Sequence, residues 1–318
     1  MGIEKFYQEF ITALEKEYAR WNVFNKSPRH AIHVDHGVME VMPICDDEFY
    51  SFKFVNGHPY NTSQKKLTVA ALGLLAEIKN GYPLMISEMT LLTALRTSST
   101  SALAAKYLAK KNTKTIGIIG TGAQSEFQVM AQKALFNIET VNYFDIDKKA
   151  MEKFAYNLKK YNLKLNTCDN AQSVLEDADI ITTATATKSQ TQILNSDWIH
   201  PGLHINSIGG DCPGKTELDK KILSKTKIVV EYLPQSKVEG EIQQADAKIY
   251  AELWELVTGA KKGRENESEI TLFDSVGFAI EDFAILKFIY ELSLKNNIGI
   301  DLPLIPELEN PKDLFGLI

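Results

Sequence analysis

The tightest constraint on the fold is the stretch from Lys114 to Asp145. An apolar run, Thr115-Ile-Gly-Ile-Ile-Gly120, breaks at Gly120-Thr-Gly122-Ala-Gln-Ser125, and helical spacing then carries the chain from Ala123 to Phe136. A second apolar run, Thr140-Val-Asn-Tyr-Phe-Asp145, closes on an acid. Strand, glycine turn, helix and strand in this order predict a parallel β-α-β unit. Gly120 permits the tight turn, Gly122 lets the backbone approach a pyrophosphate, and the helix N-terminus stabilises the phosphate charge. Ser125 stands where a third glycine is usual and is small enough for close helix–sheet packing. Asp145 falls where an acid binds ribose hydroxyls and disfavours a 2′-phosphate, so NAD(H) is expected over NADP(H).

The alternation continues. Lys148 to Lys160 reads as a helix, followed by a strand at Lys164–Cys168, a short helix near Ala171 and a strand at Ala178–Thr183. Further strands are expected at His204–Ile208, Lys227–Val230 and Ile270–Phe273. The expected fold is therefore α/β, a Rossmann domain with helices on both faces of its sheet. The preceding segment has another character. After a helix from Glu4 to Trp21 come the β-prone runs 30–34, 38–42, 49–55 and 67–72, separated by turn signals such as Asp46-Asp47, Asn56-Gly57 and Asn80-Gly81. They predict a mostly antiparallel sheet in an α+β domain, closed by a helix from Thr90 to Lys110. The helix Phe278 to Lys295 leaves the Rossmann domain. The division expected is 1–112 with 290–318 for the first domain and 113–289 for the second. The apolar, Pro-containing tail from Leu302 is expected to pack against the first domain or a partner subunit.

A net charge of -6 argues against nucleic acid and anionic membranes as partners. No apolar run reaches the roughly 20 residues of a membrane span. The opening Met1-Gly-Ile-Glu-Lys-Phe6 lacks a basic segment followed by an apolar one. Three separated cysteines, Cys45, Cys168 and Cys212, fit a reducing compartment, so a cytoplasmic location is expected.

Ser207-Ile-Gly-Gly-Asp211-Cys-Pro-Gly-Lys-Thr-Glu217 carries the most suggestive chemistry, a carboxylate on a glycine-shaped loop after a buried strand. Thr182 to Thr185, after another strand, is either a further contact to ribose or nicotinamide or a hydroxyl-rich strand end. Arg29, Lys53 and Arg96 are isolated cations in apolar settings; each reads as a substrate ligand, a structural ion pair or a solvated charge. In Phe52-Lys53-Phe54 the lysine faces away from both phenylalanines. Glu40, within an apolar strand, is equally open. His30, His33 and His36 do not make a metal site: spacing by three puts His33 on the other face of a strand, and no Cys or Glu completes a tetrahedral set.

Taken together, several segments resemble the ornithine cyclodeaminase/μ-crystallin family, and within it the bacterial ornithine cyclodeaminases. They are Gly37 to Pro43, Phe52 to Pro59, Leu92 to Thr97, Gly120 to Phe127, Gly209 to Leu218, Val238 to Gln244 and Leu272 to Asp282. Gly209-Gly-Asp-Cys-Pro-Gly-Lys-Thr-Glu-Leu218 is the most specific of them. The resemblance implies a homodimer built by the first domain, which also binds substrate, and NAD held tightly by the second. It implies that Arg29, Lys53 and Arg96 hold the substrate α-carboxylate, that Glu40 and Asp211 serve its amino groups, and that Val276 and Gly277 line the pocket. For NAD it implies Thr68, Arg96, Ala123, Gln124, Asp145, Thr185, Ile208, Gly209, Gly210, Asp211, Lys215 and Ser275.

The implied reaction turns L-ornithine into L-proline and ammonia. Hydride leaves Cα only from a neutral α-amine, so Asp211 is expected to accept its proton, as a partly desolvated carboxylate can. The alternatives are a basic amino acid one methylene longer, a net imine or opine-type reductase that releases the reduced cofactor, and a binding protein that has lost turnover.

Overall fold

A computed structural model describes residues 2–186 and 190–318. Its first part runs α1 (Ile3–Ala19), β1 (Asn25–Lys26), β2 (His30–Val34), β3 (Gly37–Cys45), β4 (Phe49–Gly57), β5 (Val69–Glu77), β6 (Pro83–Glu88) and α2 (Thr90–Leu108). The strands form one antiparallel sheet in the order β1-β3-β4-β5-β6, with β2 also pairing β3. Asp46 sets the β3–β4 turn by accepting the Glu48 and Phe49 N–H groups at 2.9 and 2.7 Å. In α1 the buried residues Tyr7, Phe10, Ile11, Leu14 and Tyr18 recur every three to four positions, which gives the helix one apolar face. Helix α2 is buried nearly all round, and its run of Ser, Thr and Ala from Ser98 to Ala105 lets neighbouring elements approach closely.

The second part contributes β7 (Thr115–Ile119), α3 (Ser125–Leu135), β8 (Thr140–Phe144), α4 (Lys148–Leu158), β9 (Lys164–Thr167), α5 (Ala171–Val174) and β10 (Ile180–Thr183). It continues with β11 (Gln190–Leu194), β12 (His204–Ser207), β13 (Thr216–Leu218), α6 (Lys221–Lys225), β14 (Lys227–Val230), α7 (Leu233–Ser236), β15 (Ile249–Glu252), α8 (Leu253–Val257) and β16 (Thr271–Asp274). Eight of these strands make a parallel sheet in the order β15-β14-β16-β12-β10-β7-β8-β9, while β11 and β13 pair separately. Strands β7, β10 and β12 are almost wholly buried, as a sheet covered on both faces requires. The Rossmann architecture and the antiparallel sheet are both as expected. Strands β1, β6, β11, β13 and β15 are not among those expected: β6 carries a proline and no clear alternation, and β1, β13 and β15 are only two, three and four residues long.

Helix α9 (Ala279–Asn296) leaves β16 and covers the inner face of β3, β4 and β5. It reaches the antiparallel sheet in its first turn, where Asp282 meets Lys53, so the chain rejoins that sheet before residue 290. One buried cluster, including Tyr7, Leu103, Val129 and Phe283, runs through both parts. Within one protomer the tail after α9 is not packed against the first domain, Ile300, Phe315 and Ile318 being 85, 81 and 98 % exposed, which leaves the partner-subunit alternative. Among the described residues no helix is long and apolar enough to cross a membrane.

Candidate active site

Strand register gathers the chemistry at one edge. Ile119 pairs with Thr183, Thr183 with Ser207, Ser207 with Asp274, and Asp274 with Val230. The loops that follow these residues carry Gly120 to Ser125, Thr185, Ile208 to Lys215, Ser275 to Gly277, and Glu231. All emerge at the carboxyl ends of parallel strands, on both sides of the point where the strand order reverses between β7 and β10.

The glycine loop has the shape its sequence predicts. Gly120 takes a φ of 94°, and a Cβ there would meet the Ala184 carbonyl oxygen at 2.6 Å. A Cβ on Gly122 would have nothing within 4 Å, so the backbone is open where a phosphate would approach the N-terminus of α3. Ser125 fills the third-glycine position, fully buried, with its hydroxyl donating to the Gly122 carbonyl at 2.8 Å. Asp145 ends β8 as expected, and it also shapes the loop, accepting the Thr121 N–H at 2.6 Å and the Thr121 hydroxyl at 3.1 Å. Next to it, the Gln124 side-chain oxygen is buried without a partner, an acceptor free for a ligand donor. Ala123 is exposed on the same loop. Thr185 donates its N–H to Glu217 at 2.8 Å, and its hydroxyl to the same oxygen. Gly209 has to be glycine because a Cβ would run into that Glu217 carboxylate. The Ile208 N–H bonds the Thr183 carbonyl, and the Gly210 carbonyl accepts the Gly240 N–H at 2.6 Å. Thr68 stands just before β5, its carbonyl oxygen taking the His58 N–H, and has no hydrogen bond to the glycine-loop group among the described residues.

Opposite this loop lie the cations. Lys53 is 1 % exposed and bonds Asp282 at 2.9 Å, while Phe54 beside it is 38 % exposed. A buried lysine beside an exposed phenylalanine inverts ordinary strand patterning. Burial, then the Arg96 charge, pushes the Lys53 ammonium down to about 8 despite Asp282. Arg96 reaches Glu281 at 2.6 Å through Nη1 and Asp282 at 3.0 Å through Nε. Arg29 donates Nη1 to Glu40 at 3.1 Å and Nη2 to the Val276 and Gly277 carbonyls at 2.5 and 2.8 Å. Burial excludes the solvated reading for all three cations, and the acids beside them establish ion pairs.

Val276 and Gly277 are held from below. Glu231, fully buried, accepts the Ser275 hydroxyl at 2.6 Å and the Val276 and Gly277 N–H groups at 2.8 and 2.9 Å. Burial, then the nearby Glu281, holds it well above the usual carboxylate range. Gly277 has a φ of 78°, and a Cβ there would sit 2.5 Å from Arg96 Nη1.

Asp211 bonds Lys215 at 2.9 Å, and its side chain is 57 % exposed. The Gly209–Gly210 turn carries Asp211 near the rim, its side chain partly covered, and its buried partner is Lys215. Arg29, Glu239 and Cys212 lie within electrostatic reach of Asp211. Glu239, Glu281, Asp282 and Glu231 had been assigned no role. Their only sequence signal is an acid in apolar or glycine surroundings, as in Val238-Glu239-Gly240 and Ile280-Glu281-Asp282-Phe283.

The two halves meet where the parallel strands end, and the class of protein follows: an enzyme that holds NAD on its Rossmann sheet and presents it to a small zwitterionic substrate. The chain belongs to the ornithine cyclodeaminase/mu-crystallin family, which it matches over residues 1–297. It is 48 % identical to an ornithine cyclodeaminase of Agrobacterium fabrum over 318 residues, all of this chain and 90 % of the relative. An archaeal alanine dehydrogenase dimer with bound NAD superposes with a TM-score of 0.88 at 34 % identity, over 96 % of each chain. A lysine cyclodeaminase, solved for its recognition of L-lysine, L-ornithine and L-2,4-diaminobutyric acid, gives a TM-score of 0.93 at 27 % identity, over 100 % of this chain and 95 % of the other. The family expected from the sequence motifs, and NAD as cofactor, are thus borne out.

Proposed function

We propose that this chain is an ornithine cyclodeaminase, converting L-ornithine to L-proline and ammonia. The observation that carries the reading is the meeting of buried Arg29 and Arg96 at Val276–Gly277, with buried Lys53 beside Arg96 and Asp211 within electrostatic reach of Arg29. Lys53 and Arg96, with donors left beyond their acids, receive the substrate α-carboxylate, and Arg29 completes the set. Gly120, Gly122, Ala123, Gln124, Asp145, Thr185, Ile208 to Asp211, Lys215 and Ser275, with Thr68 and Arg96, would hold NAD, which when bound would supply the acceptor and later the donor of the Cα hydride. Asp211 removes a proton from the α-ammonium, which frees the nitrogen lone pair that assists hydride departure. Lys215 keeps that carboxylate oriented at the rim. Glu40, fixed by Arg29, faces the amino groups. The cations keep Cα in place while the ring closes, the gain that oriented reactants offer.

Residues 1–112, rejoined by the returning chain, form the substrate and dimer domain, and residues from 113 to the end of β16 form the NAD domain. A homodimer is supported by the outer face of the antiparallel sheet, where Ile32, Leu72 and Ile86 are 67, 56 and 55 % exposed. Three unpaired cysteines support a cytoplasmic location. The test is purified protein with L-ornithine and a trace of NAD+, following ammonia, proline and reduced-nicotinamide absorbance. Catalytic ammonia and proline without net reduction is expected. Stoichiometric accumulation of the reduced cofactor would instead indicate a net dehydrogenase.

A further inference from the structure

Glu239 lies beside Arg29, within electrostatic reach of Glu40 and Asp211, and neither the fold nor the steps above use it. It is 5 % exposed, its Oε2 has no hydrogen-bond partner among the described residues, and that oxygen lies 3.3 Å from Arg29 Nε. The Arg29 Nε–H is likewise without an aligned acceptor, so the two groups pair by charge alone. The hydrogen bond from Gly240 N–H to the Gly210 carbonyl ties the residue after Glu239 to the residue before Asp211. Glu40 bonds the far side of the same guanidinium. Three carboxylates thus lie within electrostatic reach of one arginine, and with Lys215 on Asp211 this lobe holds three acids against two cations. The other lobe, around Lys53 and Arg96, suits a carboxylate. A substrate with one carboxylate and two ammonium groups matches the polarity of both.

On the cyclodeaminase reading, we propose that Glu239 is the group that receives the side-chain ammonium of the diamino acid and takes its proton for ring closure. The ammonium of ornithine cannot attack Cα until it loses a proton. Glu239 accepts that proton, and the freed Nδ lone pair forms the bond to Cα of the α-iminium left by hydride loss while the C=N π pair moves onto the α-nitrogen; a second Nδ proton then passes through Asp211 to that nitrogen. The lone pair left on Nδ then expels the α-nitrogen as ammonia, giving a protonated cyclic imine. Burial first, and the Glu40 and Asp211 charges against the opposing Arg29, push the Glu239 carboxyl up to about 7, which suits a proton acceptor near neutrality.

The test compares binding of L-ornithine and L-norvaline, which has the same carbon chain but no terminal amine, by calorimetry with NADH-loaded protein. Wild type is expected to prefer ornithine by about 10- to 100-fold, and Glu239→Gln to cut that preference about tenfold or more while norvaline affinity stays within about twofold. An unchanged preference, or equal loss of both ligands, would overturn the assignment, since a partner of Arg29 alone would affect both alike. Should the Gln variant fail to bind NADH, Glu239→Asp decides. Its carboxylate is one methylene shorter, so the ratio of lysine to ornithine turnover is expected to rise about tenfold, and an unchanged ratio counts against the proposal. Wild-type protein that releases no ammonia from ornithine would refute the parent reading instead, whatever the binding ratios.

Discussion

Lys53 occupies a place that disfavours its charge, and replacing it by methionine separates stability from activity. Its ammonium titrates at about 8 in the folded protein against 10.5 for the free group, which corresponds to a charging cost of about 3 kcal/mol at pH 7. Methionine keeps most of the buried stem volume. Asp282 is not orphaned by the change, because Arg96 Nε remains 3.0 Å away. Lys53→Met is therefore expected to gain roughly 1–3 kcal/mol at pH 7, a rise in Tm of about 2–6 °C. The pH dependence has a definite sign. A cation with a depressed folded pKa destabilises in full below that pKa, and the cost fades as pH climbs toward the unfolded value. The advantage of the variant should thus shrink by about 2 kcal/mol between about pH 7 and about pH 9.5. Meanwhile the substrate carboxylate loses an anchor, and KM for ornithine should rise about 100-fold. Thermal melts at the two pH values and steady-state kinetics measure all three quantities. A variant that melts below wild type, a stability gap that ignores pH, or an unchanged KM would refute the reasoning.

Asp211→Asn should abolish ammonia release while NADH still binds, measured by fluorescence titration; surviving turnover would remove Asp211 from the chemistry. Gly209→Ala should lower both NADH affinity and Tm, since its Cβ displaces the buried Glu217 carboxylate that holds Thr185. Gly277→Ala is strained by about 1–2 kcal/mol at its positive φ and pushes on Arg96, so KM should rise more than kcat falls. Leu72→Lys puts a charge on the exposed sheet face and should yield a monomer by sedimentation; a dimer of unchanged mass would move the interface elsewhere.

The Rossmann half was legible because its signals are local. The turn at Gly120, the acid at Asp145 and the glycine-shaped loop at Asp211 each sit within a few residues of the strand that positions them. The cations were visible as misfits, a Lys between two Phe and an Arg in an Ala-Leu helix, but not their environment. Lys53 meets Asp282 across 229 positions and Arg96 meets Glu281 across 185, and no periodicity encodes such pairings. Glu239 was hidden for a different reason. Its meaning depends on a single backbone hydrogen bond, Gly240 to Gly210, that brings two loops side by side. How far Asp211 is covered was not legible, because a loop's sequence states its flexibility, not whether its side chain lies at the floor or the rim of a site.

The return of α9 onto β3, β4 and β5 also sets an order of events during synthesis. The antiparallel sheet is complete at Glu88, but the helix that covers its inner face begins only at Ala279. At ribosomal speed those roughly 190 residues take about 10–40 s to emerge. Until then Lys53 and Arg96 lack Asp282 and Glu281, and the sheet presents apolar residues on one side and unpaired charge on the other. The nascent N-terminal half thus waits with that face uncovered, and α9 is the helix that turns it into a binding site.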